Sequence, residues 1–174
     1  MKALDIGIHG IQIPSINSLD EINKIISYSK FPPIGHRGLS PFTRAGQYDS
    51  SNTNKLIEYA NKNTLIIIGI ENEKSINMLP EFLANDLIDV VFVGLYDLSK
   101  SLGIPGNIED PKVIDLLDKA TSIVHQHRKK IGSIATSSSS LKFLKKKKLD
   151  YITYSVDTGI LKNSYSEIAK KFHE

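Results

Sequence analysis

Five short runs of apolar, mostly β-branched residues, separated by longer amphipathic stretches, constrain the fold of this chain most strongly. The runs predict strands at residues 10–13, 64–70, 90–94, 131–134 and 151–154. Near-continuous hydrophobicity is typical of strands that are buried on both faces, as parallel strands are. Alternation of such strands with helices predicts an α/β protein with right-handed crossovers. The pattern alone allows both a doubly wound sheet and part of a closed barrel.

The stretches between the strands carry recognisable helix signals. Ser18 is a predicted N-cap with Asp20 and Glu21 in the first turn, where carboxylates favour the positive end of the helix dipole. Asp110 followed by Pro111 predicts a second cap. The helix after it should bury one apolar face, made of Val113, Leu117, Ala120 and Val124. Three further helices are predicted at 52–62, 74–85 and 158–172.

Length and composition indicate an ordinary globular protein. The 174 residues suit one domain spanning residues 1–174, and the net charge of +3 calls for neither nucleic acid nor an anionic membrane as partner. No run approaches the roughly 20 apolar residues of a membrane span. The chain has no cysteine, which excludes disulfides, zinc–thiolate sites and thiol nucleophiles. The first residues do not resemble a signal peptide, so we expect a cytoplasmic protein.

Two carboxylates follow consecutive predicted strands. Glu71 comes directly after the run 64–70, and Asp97 comes shortly after the run 90–94. Active sites of parallel α/β proteins lie beyond the carboxyl ends of the strands, so these side chains are expected at one rim. They could share a proton, divide general acid and base roles, or hold Mg²⁺ or Mn²⁺. Asp97 could equally be a solvated helix cap, and the pattern leaves the choice open.

A family resemblance rests on the same region. Residues 68–72 read I-G-I-E-N, and residues 91–106 read V-F-V-G-L-Y-D-L-S-K-S-L-G-I-P-G. This resembles the HpcH/HpaI aldolases, in which an apolar strand ends in Glu and F-I-G-P-x-D-L-S-x-S-L-G follows. Residues 31–38 resemble the family's P-P-x-G-x-R-G loop, and the likeness extends over essentially the whole chain.

The resemblance implies a TIM (β/α) barrel of which this chain holds strands four to eight. It implies a metal-dependent lyase that cleaves a 2-keto-3-deoxy or 4-hydroxy-2-oxo acid to pyruvate and an aldehyde. By position, Glu71 and Asp97 match the ligands of the divalent cation (Mg²⁺ or Mn²⁺). The backbone of Gly94, Leu95 and Tyr96 matches the turn that holds the pyruvate carboxylate. Leu95 stands where the family has proline, which leaves the N–H donors in place.

The family's base histidine and carbonyl-binding arginine come from its first three strands, and nothing in this sequence matches them. The sequence thus predicts an N-terminally truncated member that needs the missing strands from elsewhere. His36 is a candidate substitute base, and Arg44 a candidate for orienting an anionic substrate, or else one half of a salt bridge within its loop. The alternative is an inactive relic or binding protein that retains the metal and carboxylate seat.

The remaining features of the sequence have structural interpretations. An open barrel exposes strand edges and apolar surface, which predicts a homo-oligomer. The basic run 145–148 is expected to be a solvated helix end, because no aromatic residues alternate with the lysines as in a nucleic-acid surface. The serines at 137–140 are expected to cap a helix, and Lys100 is expected to face solvent.

Overall fold

The computed structural model describes residues 2–173, which form a parallel sheet with helices packed on one face. Its elements in chain order are α1 (Lys2–Asp5), β1 (Gly10–Ile13), α2 (Leu19–Ser29), α3 (Thr53–Asn63), β2 (Leu65–Ile70), α4 (Glu73–Asn77), α5 (Leu79–Phe82), β3 (Val90–Val93), α6 (Leu95–Ser101), α7 (Pro111–Gln126), β4 (Lys130–Ala135), α8 (Ser138–Lys146), β5 (Tyr151–Tyr154) and α9 (Asp157–His173).

The strands pair in sequence order, β1-β2-β3-β4-β5, and every pairing is parallel. A doubly wound sheet would reverse its strand order at one point, whereas consecutive strands of a (β/α) barrel do not. The order therefore selects the barrel alternative, and the five strands form a half-barrel. All five strands lie within one or two residues of their predicted bounds.

The core lies between the sheet and the helices. Alternate residues of β2, namely Ile66, Ile68 and Ile70, are fully buried against it. The predicted apolar face of α7 is confirmed, because its four members are at most 1% exposed: Val113, Leu117, Ala120 and Val124. The two predicted caps are also confirmed. Ser18 forms a capping box with Glu21, and Asp110 accepts from the Lys112 N–H at 2.9 Å.

The helix predicted at 74–85 is wrong as a single element. Asn72 caps α4, which ends after one turn, and α5 begins with Leu79 and Pro80. Proline lacks an N–H and disfavours helical geometry in the residue before it, so a continuous helix through Pro80 would lose a hydrogen bond. The break keeps Ile76, Leu79 and Phe82 all fully buried.

Helix α9 differs from α7 although the two have nearly equal lengths of 17 and 16 residues. None of its residues is buried. Its apolar side chains are instead exposed, and they are Ile160, Leu161, Tyr165, Ile168 and Phe172. Among residues 2–173, no helix combines the length and apolar character that a membrane crossing requires.

The amino end of the sheet is closed by aspartates that precede strands. Asp89 Oδ2 accepts from the Ile66 N–H at 2.8 Å, and Asp150 Oδ2 accepts from the Ile131 N–H at 3.2 Å. Asp150 also binds Lys130 Nζ at 2.9 Å and His125 Nε2 at 3.1 Å. Burial acts to raise the pKa of Asp150, but the hydrogen bonds from Lys130, His125 and Ile131 outweigh it and hold that pKa below its ordinary value.

Two buried cations lie at the same end. Arg37 Nη2 contacts Asp5 Oδ1 at 3.0 Å, and the guanidinium lies over the Phe31 ring at 4.6 Å from its centroid. Lys30, only 3% exposed, donates to the Thr64 carbonyl at 2.7 Å, directly before β2. Burial lowers the pKa of Lys30 against the opposing attraction of Asp89.

Candidate functional site

Glu71 lies at the carboxyl end of β2, next to the end of β3. The register pairs Ile70 with Val93, so Glu71 and Gly94 are the next residues on neighbouring strands. A Cβ placed on Gly94 would lie 3.1 Å from Glu71 Cγ and 3.8 Å from Oε1. The φ of Gly94 is −80°, which any residue adopts, so the effect of glycine here is the space it leaves beside Glu71. Gly94 thereby leaves the room in which the Glu71 side chain sits.

The other side of Glu71 is occupied by Ser15, just past the end of β1. The Ser15 hydroxyl donates a hydrogen bond to Glu71 Oε2. Sequence reasoning missed Ser15, because it lies in no motif and is 56 residues away in the chain. Only its position just beyond a strand end could have marked it as a rim residue.

Asp97 is presented at this rim by the first turn of α6. Its two following residues hold the helix in place: Leu98 is fully buried, and the Ser99 hydroxyl donates to the Tyr96 carbonyl at 2.6 Å. Ser99 Oγ also accepts from the Gly106 N–H at 3.0 Å, which ties the following loop to the helix. The D-L-S segment of the motif thus combines one exposed carboxylate with two buried anchors, and Lys100 faces solvent as expected.

Backbone N–H groups point out of the start of α6. The first intrahelical bond runs from the Leu98 N–H to the Gly94 carbonyl at 2.8 Å, so the N–H groups of Leu95, Tyr96 and Asp97 precede any intrahelical acceptor. Gly94 has no side chain to cap them. The N–H of Gly94 itself donates to the Ile70 carbonyl at 3.0 Å. Open donors therefore belong to residues 95–97, and Gly94 contributes space.

The chemistry of this rim suits a hard divalent cation. Within residues 2–173, neither Glu71 nor Asp97 forms an ion pair. The same range contains no group of three or more His, Cys, Asp or Glu side chains arranged as a metal site. Mg²⁺ is usually held by one or two carboxylates, with water and substrate oxygens completing its shell. Glu71 and Asp97 could supply the two carboxylates, and the N–H groups of residues 95–97 could bind an anionic substrate beside them.

The two substitute candidates do not lie at this rim. His36 Nδ1 is 3.1 Å from the Ser27 hydroxyl, in the last turn of α2, at the amino end of the sheet. Arg44 Cγ lies 3.4 Å from the position of a Cβ on Gly7, three residues before β1. Among the ion pairs of the described residues, none includes Arg44, so the loop salt bridge is not formed. Both side chains thus lie beside segments on the amino side of the sheet, whereas Glu71 follows the carboxyl end of β2.

The structure also shows the two ends of α8, for which the sequence made predictions. Ser137 caps α8 in a capping box with Ser140, as predicted. Lys145 and Lys146 lie in its last turn, and Lys147 Nζ contacts Asp118 at 2.6 Å. The run 145–148 is therefore a helix end.

Comparisons with known proteins agree on one family. The family model described as HpcH/HpaI aldolase/citrate lyase matches residues 1–157. A 4-hydroxy-2-oxo-heptane-1,7-dioate aldolase from Shigella flexneri is 28% identical over 98% of this chain and 64% of its own length. A 5-keto-4-deoxy-D-glucarate aldolase from Shigella boydii is 25% identical over 98% of this chain and 66% of its own length. The chain thus spans slightly less than two thirds of these relatives.

Solved structures give the same result for the fold. An HpcH/HpaI aldolase from Desulfitobacterium hafniense superposes with a TM-score of 0.90 at 25% identity, covering 98% of this chain and 66% of that one. A family protein from Burkholderia cenocepacia superposes with a TM-score of 0.92 at 23% identity, over 99% of this chain. The half-barrel of this chain corresponds to part of those folds.

Proposed function

The chain belongs to the HpcH/HpaI aldolase/citrate lyase family, and we propose that it carries the metal- and keto-acid-binding part of a carbon–carbon lyase. The proposed reaction reversibly cleaves a 2-keto-3-deoxy or 4-hydroxy-2-oxo acid to pyruvate and an aldehyde. Glu71 and Asp97 hold Mg²⁺ or Mn²⁺, and the backbone N–H groups that follow Gly94 bind the carboxylate of the keto acid.

One observation carries the proposal. Glu71 follows the end of β2, and Asp97 lies in the first turn of α6, which follows the neighbouring strand β3. Neither carboxylate has a cationic partner among residues 2–173, and Gly94 leaves space beside Glu71. A rim of this kind concentrates negative charge next to N–H donors, which favours a cation together with an anionic ligand. The motif resemblance implies the same roles for these residues, by their position in the sequence.

Each group has a defined task in this reaction. A divalent cation, when bound, supplies positive charge that stabilises the enolate developing on the keto acid. The N–H groups of Leu95 and Tyr96 orient the carboxylate, because donors at the start of a helix suit an anion. Glu71 and Asp97 provide the oxygen ligands. Proton transfer needs a base within hydrogen-bonding reach, and His36 lies at the other end of the sheet.

The test measures binding and enolisation separately. Mn²⁺ binding is followed by electron paramagnetic resonance, and exchange of the pyruvate methyl protons for deuterium is followed by NMR, with and without a chelator. We expect Glu71→Gln and Asp97→Asn each to abolish Mn²⁺ binding. Glu73→Gln is the matched control, since Glu73 is an exposed carboxylate two residues away. Equal Mn²⁺ affinity in Glu71→Gln and Glu73→Gln would refute the proposal.

A second candidate is a binding protein that holds the cation and keto acid without catalysis. The contact of His36 with Ser27 and the position of Arg44 beside Gly7, both away from the rim that carries Glu71, favour it. Mn²⁺ and pyruvate binding without methyl exchange would select this candidate. Exchange that disappears with a chelator would select the lyase and show that a base acts at the rim.

A homo-oligomer is part of the proposal. The exposed apolar residues of α9, among them Ile168 at 62% and Phe172 at 84% exposure, would be unfavourable in an isolated monomer. We expect Ile168→Ser combined with Phe172→Ser to reduce the mass measured by sedimentation equilibrium. A compact monomer before substitution would contradict this part.

A further inference from the structure

We propose that Ser15 is a positioning residue for Glu71, an inference that rests on the proposed metal site. Its hydroxyl donates to Glu71 Oε2 and so sets the orientation in which the carboxylate meets the cation. Nothing in the sequence motif that includes Glu71 and Asp97 involves Ser15.

The hydrogen bond from Ser15 restrains the Glu71 side chain, which could otherwise rotate about its torsions. Glutamate has three side-chain torsions, and Glu71 is only half-buried. Gly94 lies against its Cγ on the β3 side, and Ser15 holds Oε2 on the β1 side. With one oxygen held, Oε1 and the remaining lone pair of Oε2 stay available to a cation.

The backbone of Ser15 is held in a conformation unusual for serine. Its φ is +57°, in the left-handed region that residues other than glycine occupy only when their surroundings enforce it. Asn17 Nδ2 donates to the Ser15 carbonyl at 2.6 Å, and Asn17 Oδ1 accepts from Asn72 Nδ2 at 2.7 Å and from the Ser75 hydroxyl at 2.9 Å. The loop after β1 is therefore tied to the residue next to Glu71.

A glycine in β2 permits this approach. A Cβ on Gly69 would lie 2.8 Å from Pro14 Cα, closer than side chains are found to backbone atoms. The Gly69 carbonyl accepts from the Ile16 N–H at 2.9 Å, which extends the pairing of β1 with β2 past Ser15. Gly69 and the Asn17 bonds together bring the Ser15 hydroxyl to Glu71.

The test separates the hydroxyl from the backbone. Ser15→Gly removes the hydroxyl but suits a φ of +57°, so the variant should retain or raise Tm. Ser15→Ala removes the hydroxyl and keeps the unfavourable backbone conformation. We expect both to weaken Mn²⁺ binding, measured by electron paramagnetic resonance, by roughly tenfold, as outer-shell substitutions at metal sites do. Ser122→Ala, at an exposed serine of α7, is the matched control and should change neither quantity.

The outcomes distinguish this inference from the proposed function. An unchanged Mn²⁺ dissociation constant in Ser15→Gly, while Glu71→Gln abolishes binding, overturns the role of Ser15 alone. Weakened binding in Ser15→Ala but not in Ser15→Gly would show an effect of backbone conformation and also overturn it. Mn²⁺ binding that is insensitive to Glu71→Gln overturns both proposals. Tenfold loss in both Ser15 variants, with Tm preserved in Ser15→Gly, supports the positioning role.

Discussion

The two ends of the sheet carry similar types of charged residue, but within residues 2–173 these residues are paired at the amino end and unpaired at the carboxyl end. At the amino end, every charge described above has a partner: Arg37 contacts Asp5, and Asp150 contacts Lys130 and His125. At the carboxyl end, the Glu71 carboxylate accepts from the neutral Ser15 hydroxyl and has no ion-pair partner within residues 2–173. Among the described residues, Asp97 has no ion-pair partner. The contacts at the amino end stabilise the fold, whereas the two carboxylates at the carboxyl end are not engaged in ion pairs with any described residue and could bind a ligand.

The difference has an electrostatic consequence. The ion pairs at the amino end, Arg37 with Asp5 and Asp150 with Lys130, place opposite charges next to each other. At the carboxyl end, Glu71 and Asp97 form no ion pair among residues 2–173, which leaves both carboxylates available to a cation. Substitutions at the amino end should therefore change stability, and substitutions at the carboxyl end should change ligand binding.

The largest effect is expected from breaking the buried pair at the amino end. Asp5→Ala leaves the Arg37 guanidinium, whose side chain is 4% exposed, without its carboxylate. We expect the free energy of unfolding to fall by about 3 kcal/mol in urea titrations, with Mn²⁺ affinity unchanged. Lys24→Ala breaks an exposed pair with Asp20 and should leave the urea midpoint in place. Equal effects of the two substitutions would contradict the comparison.

A second prediction compares two glycines, of which Gly94 leaves space beside Glu71 and Gly106 has a positive φ. Gly94→Ala places a Cβ against Glu71 and should weaken Mn²⁺ binding roughly tenfold. Gly106→Ala has open space around the new Cβ but a φ of +83°. It should lower stability by about 1 kcal/mol and leave Mn²⁺ affinity unchanged. Mn²⁺ titrations and thermal melts of both variants would show whether the loss of Mn²⁺ affinity and the loss of stability occur in different variants.

A third prediction concerns a carboxyl-end residue with a structural role. Ser137 caps α8 by accepting from the Ser140 N–H at 3.1 Å. We expect Ser137→Ala to lower the free energy of unfolding by about 1 kcal/mol. Mn²⁺ binding should not change, and a tenfold loss would mean that the proposed cation site extends to the end of β4.

The smallest effect is expected from the acid dependence of the amino end. Hydrogen bonds hold the pKa of Asp150 below its ordinary value despite burial, so the folded state binds this proton more weakly than the unfolded state. The resulting stabilisation is complete above the unfolded pKa of about 4 and is lost as the pH falls through the lower folded value. Asp150→Asn should lower stability at pH 7 and flatten its decline below about pH 4. Urea midpoints at both pH values check this, and an unchanged acid slope would contradict it.

Sequence reasoning succeeded where short-range patterns decide the outcome. Ser18, Asp110 and Ser137 were identifiable as caps because a cap bonds to residues two or three positions away. The single helix predicted at 74–85 failed at Pro80, although the proline itself was the available signal. The positions of Glu71 and Asp97 followed from the rule that parallel strands end at one rim.

Local patterns and a specific motif thus determined the parallel α/β fold, the family and the two carboxylates. Only the tertiary structure decided that Ser15 reaches Glu71 across 56 residues, that Gly94 makes room for it, and that His36 lies at the opposite end. It also decided that α9 stays uncovered while α7 is buried. Caps and strand periodicity depend on bonds between near neighbours, which a sequence displays directly. Contacts between strand ends depend on how closely two backbones approach, and that distance is set by the packing of the whole sheet.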